Sequence, residues 1–238
     1  MDSIEKTSVT LSINSFKAIN NPDLCDNFSQ GHGNVLRDFG VKKVTSANKT
    51  WHSNPDSYVI SVQMNNSKDF VAGARIDVYM GKFPLPIEDA IGIIDKSIYK
   101  LVKSYSQKGK TGEVCGLWTS KQCAGNGIAF LMIKSSIVLA KLLNMDSLFA
   151  LCSPFTVSMF SKLGFEIEKS LGNEGTFYYP KLDLIATAMV LKDLSKLNSV
   201  SEDYKEPIIN LVKIPNQQTK EMGVKGLIEI DYNLNVNN

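Results

Sequence analysis

The chain has 238 residues, of which 43% are hydrophobic and 21% are charged. This length and composition suit one large domain, or one domain with appendages, around a buried core. The formal net charge is only +2 and the lysines are scattered among acidic residues, which argues against a nucleic-acid or anionic-membrane partner. The N-terminus is polar and no run of about 18 apolar residues occurs. We therefore expect a cytoplasmic protein without an integral membrane segment.

The cysteines and histidines do not form a metal-binding pattern. The four cysteines contain no C-x-x-C pair, so we expect reduced thiols. His32 and His52 lie in poorly patterned segments with no Cys or Asp at ligand spacing. We expect both histidines at the surface and no metal site.

The N-terminal region is the least regular part of the sequence. Residues 8–13 alternate polar and apolar side chains, which predicts a strand. Residues 28–39 have two interpretations, an amphipathic helix or an irregular loop, because Gly31 and Gly33 weaken a helix.

Two β-rich runs follow, near Val59 and Ile76, and predict an antiparallel hairpin. Arg75 in the second run is interpreted as a surface or edge arginine, with a substrate or phosphate contact as the alternative. After Pro86, residues 87–105 repeat apolar side chains at helical spacing and predict one amphipathic helix.

The central stretch, residues 112–167, predicts strand, turn, long helix, strand and short helix. The long helix is expected from Gly127 to about Asn144, with Lys134 and Lys141 on its solvent side. The short helix should begin at Ser153 and Pro154 and end at Gly164. Two further strands close the sheet by residue 193. Residues 194–238 are either an extension packed on the sheet edge or a tail that binds a partner.

The turn before the long helix carries the most specific pattern, because Gln122, Gly125 and Gly127 form Q-x-x-G-x-G. Glycines let the backbone approach a ligand, and the amides of the first helical turn have no partner within the helix. Such a turn can bind a diphosphate, aided by the helix dipole.

This motif resembles that of the GNAT N-acyltransferases, whose hallmark is Q/R-x-x-G-x-G/A between a strand and a helix. The stretch FSKLGFEI resembles a second signature of that family. The resemblance implies an α/β GNAT fold, with a mixed central sheet flanked by helices, over residues 1–193. It also implies transfer of an acyl group, most simply acetyl, from acetyl-CoA or another acyl-CoA to a primary amine on a small molecule or peptide. A homodimer is one option for its assembly.

The same resemblance assigns the acyl-CoA site. The pantetheine arm should enter between the two central parallel strands, which separate near Cys115 and Leu148. The expected cofactor-binding residues are Leu117, Trp118, Gln122, Cys123, Ala124, Gly125, Asn126, Gly127, Ile128 and Ala129. An acyl-cysteine mechanism through Cys123 is a further option.

The catalytic groups are assigned with alternatives. Glu113 is expected as the base and to share a strand face with Cys115 and Leu117; a solvated strand-end carboxylate is the other interpretation. Phe160 stands where the family often has a tyrosine acid, so Tyr178 or Tyr179 would replace it, or the thiolate would leave unassisted.

Two other functions stay open. The G-A-R-I and L-P patterns at residues 73–76 and 85–86 resemble long-chain GNAT relatives, such as acyl-homoserine-lactone synthases and N-acyl amino acid synthases. That resemblance implies an enzyme that uses a long acyl-CoA or an acyl carrier protein. A GNAT-like module that binds CoA without turnover is the second alternative.

Overall fold

The structure, a computed structural model, describes residues 9–41, 44–65, 67–223 and 226–236. Ser8, where the first predicted strand began, lies outside them. Within these ranges the strands are β1 Val9–Lys17, β2 Ser57–Met64, β3 Ala72–Val78, β4 Thr111–Thr119, β5 Ser147–Cys152, β6 Glu166–Ile167, β7 Thr176–Tyr178, β8 Ile185–Leu191, β9 Asn216–Gly223 and β10 Gly226–Asn233. The helices are α1 Pro22–Asp38, α2 Pro86–Ile91, α3 Ser97–Lys108, α4 Ile128–Leu142, α5 Pro154–Lys162 and α6 Glu202–Lys213. No helix among the described residues is long and apolar enough to cross a membrane.

The strands form one mixed sheet in the order β6-β8-β5-β4-β3-β2-β1-β10-β9, with β7 paired to β8. The predicted hairpin is β2 and β3, which pair in antiparallel register. The β4 and β5 strands are parallel because α4 crosses between them. One sheet face packs against α4, α5 and α6, and the other packs against α1, α2 and α3.

The segment around residue 30 is a helix, the first of the two interpretations. Gly31 fits there because a Cβ at this position would collide with the indole of Trp118. A glycine lets α1 approach the sheet closely enough to bury Phe28 against that indole, with ring centroids 5.9 Å apart. The helical propensity that glycine costs is offset by this contact.

The single helix predicted over residues 87–105 is wrong, since the chain forms α2 and α3 with a break between them. At Gly92 a Cβ would collide with the Tyr99 hydroxyl and the Glu88 carbonyl. Asp95 then accepts hydrogen bonds from the amide and hydroxyl of Ser97 at the start of α3. Ile94, expected on the buried stripe, is therefore exposed.

The C-terminal segment belongs to the same sheet as the rest of the chain. Strand β10 pairs in parallel with β1, and β9 forms the edge beyond it. Tyr232 and Leu234 are buried in the main core. The described residues of this segment thus extend the sheet through β10 and β9, and residues 224–225 and 237–238 lie outside the described ranges.

The expected solvent face of α4 is wrong, because the C-terminal segment covers it. Lys134 is buried, and its ammonium lies 2.6 Å from both carboxylate oxygens of Glu221 in β9. Tyr232 donates a hydrogen bond to the same carboxylate at 2.8 Å. Lys141 donates to the carbonyls of Leu194 and Ser195. Both lysines fasten the C-terminal segment to the central helix.

Glu221→Gln tests this fastening. The change leaves the Lys134 ammonium buried without its counter-charge, which lowers the free energy of unfolding by up to about 3 kcal/mol. Urea denaturation measures the effect. Glu229→Gln is the matched control, since its pair with Lys220 on the same hairpin is exposed and its loss should change stability much less. Equal stability of the two variants would contradict a fastening role.

Candidate active site

The turn before α4 has the geometry expected of an anion-binding loop. Gly125 and Gly127 have φ of +74° and +79°, conformations that favour glycine, and a Cβ at either would meet no atom within 4 Å. No backbone acceptor within the described residues pairs with the amides of Gly125, Gly127, Ile128 or Ala129. These amides sit at the positive end of the α4 dipole, so they are available to a diphosphate.

The predicted cofactor-binding residues of this turn separate into two groups. The side chains of Cys123 and Ile128 are buried in the core, so these residues can offer only their backbone to a ligand. The other six are partly or fully exposed: Gln122, Ala124, Gly125, Asn126, Gly127 and Ala129. Burial raises the pKa of the Cys123 thiol, which disfavours the acyl-cysteine option.

The parallel strands β4 and β5 separate beside this turn. They pair from Thr111–Ser147 to Val114–Ala150, and no further pair forms although β4 runs on to Thr119. The separation begins after Val114, near the predicted Cys115. On β5, however, Leu148 is still paired with Gly112, and the gap starts beyond Ala150.

A bulge at Gly116 changes which side chains share a face of β4. Gly116 has φ of +57°, and the register with β3 shifts by one residue at this point. Trp118 therefore returns to the α1 face with Cys115, while Leu117 packs with the core on the α4 side. The expectation that Leu117 shares a face with Glu113 and Cys115 is wrong for this reason.

The separated strands open into an apolar cavity of about 350 Å³. Its walls come from α1, the split strands, α5 and the segment that ends in β8, and include Val35, Phe39, Leu117, Trp118, Leu151, Phe155, Phe160 and Ala186. This volume lies within the usual range for sites that bind small molecules. The indole nitrogen of Trp118 is buried and has no hydrogen-bond acceptor among the described residues. The predicted Leu117 and Trp118 thus both line this cavity.

Glu113 lies at the buried inner side of this cavity with a side chain 2% exposed, so the solvated interpretation is wrong. One carboxylate oxygen accepts the amide hydrogen of Ile87 at 2.7 Å. Burial raises the pKa of this carboxyl well above its usual value, and the neighbouring Asp77 raises it further. A carboxylate with a raised pKa is a stronger base than an exposed one.

Arg75 and Asp77 form a buried ion pair beside Glu113, so the surface interpretation of Arg75 is wrong. The guanidinium donates to both Asp77 oxygens at 2.9 and 2.8 Å and lies 4.6 Å from the ring centroid of Trp51. Ser57 donates to the same carboxylate at 2.6 Å. The pair also contacts the Cys115 thiol, whose pKa burial raises.

His32 was missed as a cavity residue because Gly31 and Gly33 on either side of it weakened the prediction of a helix. It is 5% exposed rather than at the surface, and its ring lines the apolar cavity from α1. Burial and the charge of Arg75 lower its pKa to about 4, so its imidazole is neutral at pH 7. The helical spacing of Phe28, His32 and Val35 is the signal that could have indicated a shared inward face.

Of the two tyrosines offered as the acid, the structure places Tyr179 in the cavity wall and not Tyr178. Tyr178 is 65% exposed and does not line the cavity. The Tyr179 hydroxyl accepts the amide hydrogen of Thr45 at 2.8 Å. Phe160 also lines the cavity and offers no proton.

The chain superposes on several solved structures. FeeM, an N-acyl amino acid synthase from uncultured soil microbes, superposes with a TM-score of 0.61 at 14% identity, over 84% of this chain and 99% of that one. BjaI, a CoA-dependent acyl-homoserine lactone synthase, superposes with a TM-score of 0.53 at 9% identity, over 87% of this chain and 91% of that one. An acyl-CoA N-acyltransferase from Pseudomonas aeruginosa superposes with a TM-score of 0.50 at 10% identity, over 76% of this chain and 98% of that one.

The chain has the GNAT fold. The fold predicted from the Q-x-x-G-x-G turn is therefore confirmed by its structural neighbours. No protein-family model matches the sequence, and no curated protein matches it significantly. In this GNAT fold the split and the buried carboxylate lie on β4, and the amide-lined turn follows the same strand.

Replacing the turn glycines tests the diphosphate site. Gly125→Val and Gly127→Val place side chains in the open space over the free amides and should weaken CoA binding at least about tenfold, measured by calorimetry. Gly81→Val is the matched control, because Gly81 has φ of +73° and equally open space away from this turn. The control should lose similar stability and keep CoA affinity. Unchanged affinity in both turn variants would make the turn purely structural.

Proposed function

We propose that this protein is an acyl-CoA-dependent N-acyltransferase that acylates a primary amine. The observation that carries the proposal is the split between β4 and β5, which opens into an apolar cavity bordered by Glu113 on the strand that leads into the amide-lined turn. The diphosphate of CoA would bind at Gly125 and Gly127, and the pantetheine arm would extend along the unpaired edge of β4. Unpaired strand groups favour a polar arm there, because buried backbone donors and acceptors need partners.

We further propose that the acyl group is longer than acetyl, although acetyl was the simplest expectation. An acetyl group would leave most of the 350 Å³ cavity unfilled, and its wall is dominated by aliphatic and aromatic side chains. The structural neighbours FeeM and BjaI are named as synthases of N-acyl amino acids and acyl-homoserine lactones, which agrees with this choice. Whether CoA or an acyl carrier protein presents the chain is tested by comparing the two donors.

The proton steps can be assigned to residues of this chain. The attacking amine arrives as an ammonium, and Glu113 takes one proton from it, so that a neutral nitrogen attacks the thioester carbon. The carbon–sulfur bond then breaks, the thiolate leaves, and the nitrogen gives its second proton to the thiolate, so that a neutral amide and a free thiol result. The free indole N–H of Trp118 is a candidate donor to the carbonyl oxygen, where negative charge develops. Proton uptake suits Glu113, because a buried carboxylate of raised pKa gains stability on protonation.

Glu113→Gln tests the base. Turnover should fall by about a hundredfold or more while acyl-CoA affinity is kept, because the amide preserves shape but has no basicity. In the wild type, turnover should fall as the pH drops through the raised pKa of Glu113. The difference between the two proteins should shrink as pH rises toward about 9, because the free amine becomes abundant. Thiol release measured across this range reports both effects.

Two outcomes would contradict this assignment. If Glu113→Gln turned over at the wild-type rate at every pH, Glu113 would be removed from the mechanism. The neutral imidazole of His32 would then remain as a proton acceptor in the cavity. A wild-type protein that binds acyl-CoA but releases no thiol with any amine would favour the non-catalytic module.

Val35→Trp tests the acyl cavity. Val35 is half-buried in the cavity wall on α1, so an indole there reduces the space for a chain. We expect kcat/KM for octanoyl-CoA to fall at least about tenfold while kcat/KM for acetyl-CoA is kept. Asn34→Trp, on the exposed side of the same helix, is the matched control and should change neither. Equal losses for both donors would place the acyl chain elsewhere.

A further inference from the structure

A second, smaller cavity of about 80 Å³ lies on the other side of the buried ion pair. Its wall is formed by residues 45–54, by β3 and by the segment that leads into α2. The lining side chains are mostly polar or aromatic: Thr45, Asn48, Thr50, Trp51, Asn54, Arg75, Asp77, Phe83, Pro84, Pro86 and Asp89. Its chemistry differs from that of the apolar cavity.

The two cavities are neighbours. Thr45 and Pro86 line both of them. Asp77, in the wall of the small cavity, is directly paired in register with Glu113, in the wall of the large one. A molecule in the small cavity would therefore abut the end of the acyl cavity where the proposed base lies.

The charges around the small cavity favour a cation. Arg75 and Asp77 neutralise each other through two hydrogen bonds. Asp89 adds a carboxylate at the rim, in an exposed position, and forms no ion pair within the described part of the chain. The lining groups thus sum to one negative charge, which attracts an ammonium and repels a carboxylate.

The size of the cavity limits the ligand. A volume of 80 Å³ holds about five to eight water-sized groups, too few for an aromatic amino acid. The carbonyl oxygens of the Asn48 and Asn54 side chains already accept hydrogen bonds, so it is their NH2 groups that can donate to a polar substituent on such a ligand.

We infer that this small cavity binds the acyl acceptor, and that the acceptor is a small primary amine without a carboxylate. Its ammonium is held at the rim by Asp89, beside Thr45 and Pro86. The role of the amine as acyl acceptor rests on the proposed function. Binding of the amine to this cavity does not depend on that function. It sets this chain apart from FeeM, whose name gives an amino acid product.

Binding of ethanolamine and of glycine, measured by calorimetry on the full chain without CoA, tests the inference. Ethanolamine should bind. Glycine, a ligand of similar size that carries a carboxylate, should bind at least about tenfold more weakly. Asp89→Asn should weaken ethanolamine binding about tenfold or more. Asp23→Asn is the matched control, since it removes an exposed carboxylate from the first turn of α1 instead. It should leave ethanolamine affinity unchanged.

Kinetics separate this inference from the proposed function. With an acyl-CoA that is turned over, Asp89→Asn should raise KM for ethanolamine about tenfold with kcat nearly kept. Glycine preferred over ethanolamine, or equal ethanolamine affinity in wild type and Asp89→Asn, would overturn the inference while leaving acyl transfer intact. A wild-type protein that binds ethanolamine but no acyl-CoA would overturn acyl transfer and support the amine site.

Discussion

The interruption of the β4–β5 ladder after Val114 and Ala150 is the constraint on which the rest of the site depends. Two parallel strands that part inside a sheet leave facing backbone groups without partners, which is costly unless a ligand or water supplies hydrogen bonds. The bulge at Gly116 turns β4 away and redirects its side chains. Helix α1 then covers one side of the opening and α5 the other, so the gap becomes a walled cavity.

Buried charge is concentrated beside this opening. Arg75, Asp77 and Glu113 lie within two neighbouring strands and are almost fully excluded from solvent. Burial raises the pKa of Glu113, and the excess negative charge that the cluster would carry with both carboxylates ionised raises it further. The positive charge of an incoming ammonium would balance this excess negative charge. Binding of the acceptor would therefore favour the ionised form of Glu113.

Local sequence patterns predicted the elements whose environment is decided within the segment. Periodicity and glycine chemistry predicted the β2–β3 hairpin, the strand–turn–helix around Gly125 and the glycine turn at Gly164 that follows α5. The break between α2 and α3 was missed although Gly92 and Asp95 cause it locally, and several other errors arose where a distant segment decides the outcome. Lys134 is buried because β9 supplies Glu221, and Gly31 remains helical because Trp118 packs on it. His32 and Tyr179 entered the site through tertiary packing, which no single segment encodes.

The parallel pairing of β1 with β10 also affects how the protein folds. Val9 lies opposite Ile228, so this part of the sheet closes only after almost the whole chain has collapsed. Pairings of such long sequence separation form slowly, because the entropy of loop closure must be overcome first. Until β10 docks, the open edge of β1 can pair with a strand of another chain. Refolding at high protein concentration therefore favours aggregation at this edge, and dilution during refolding protects it.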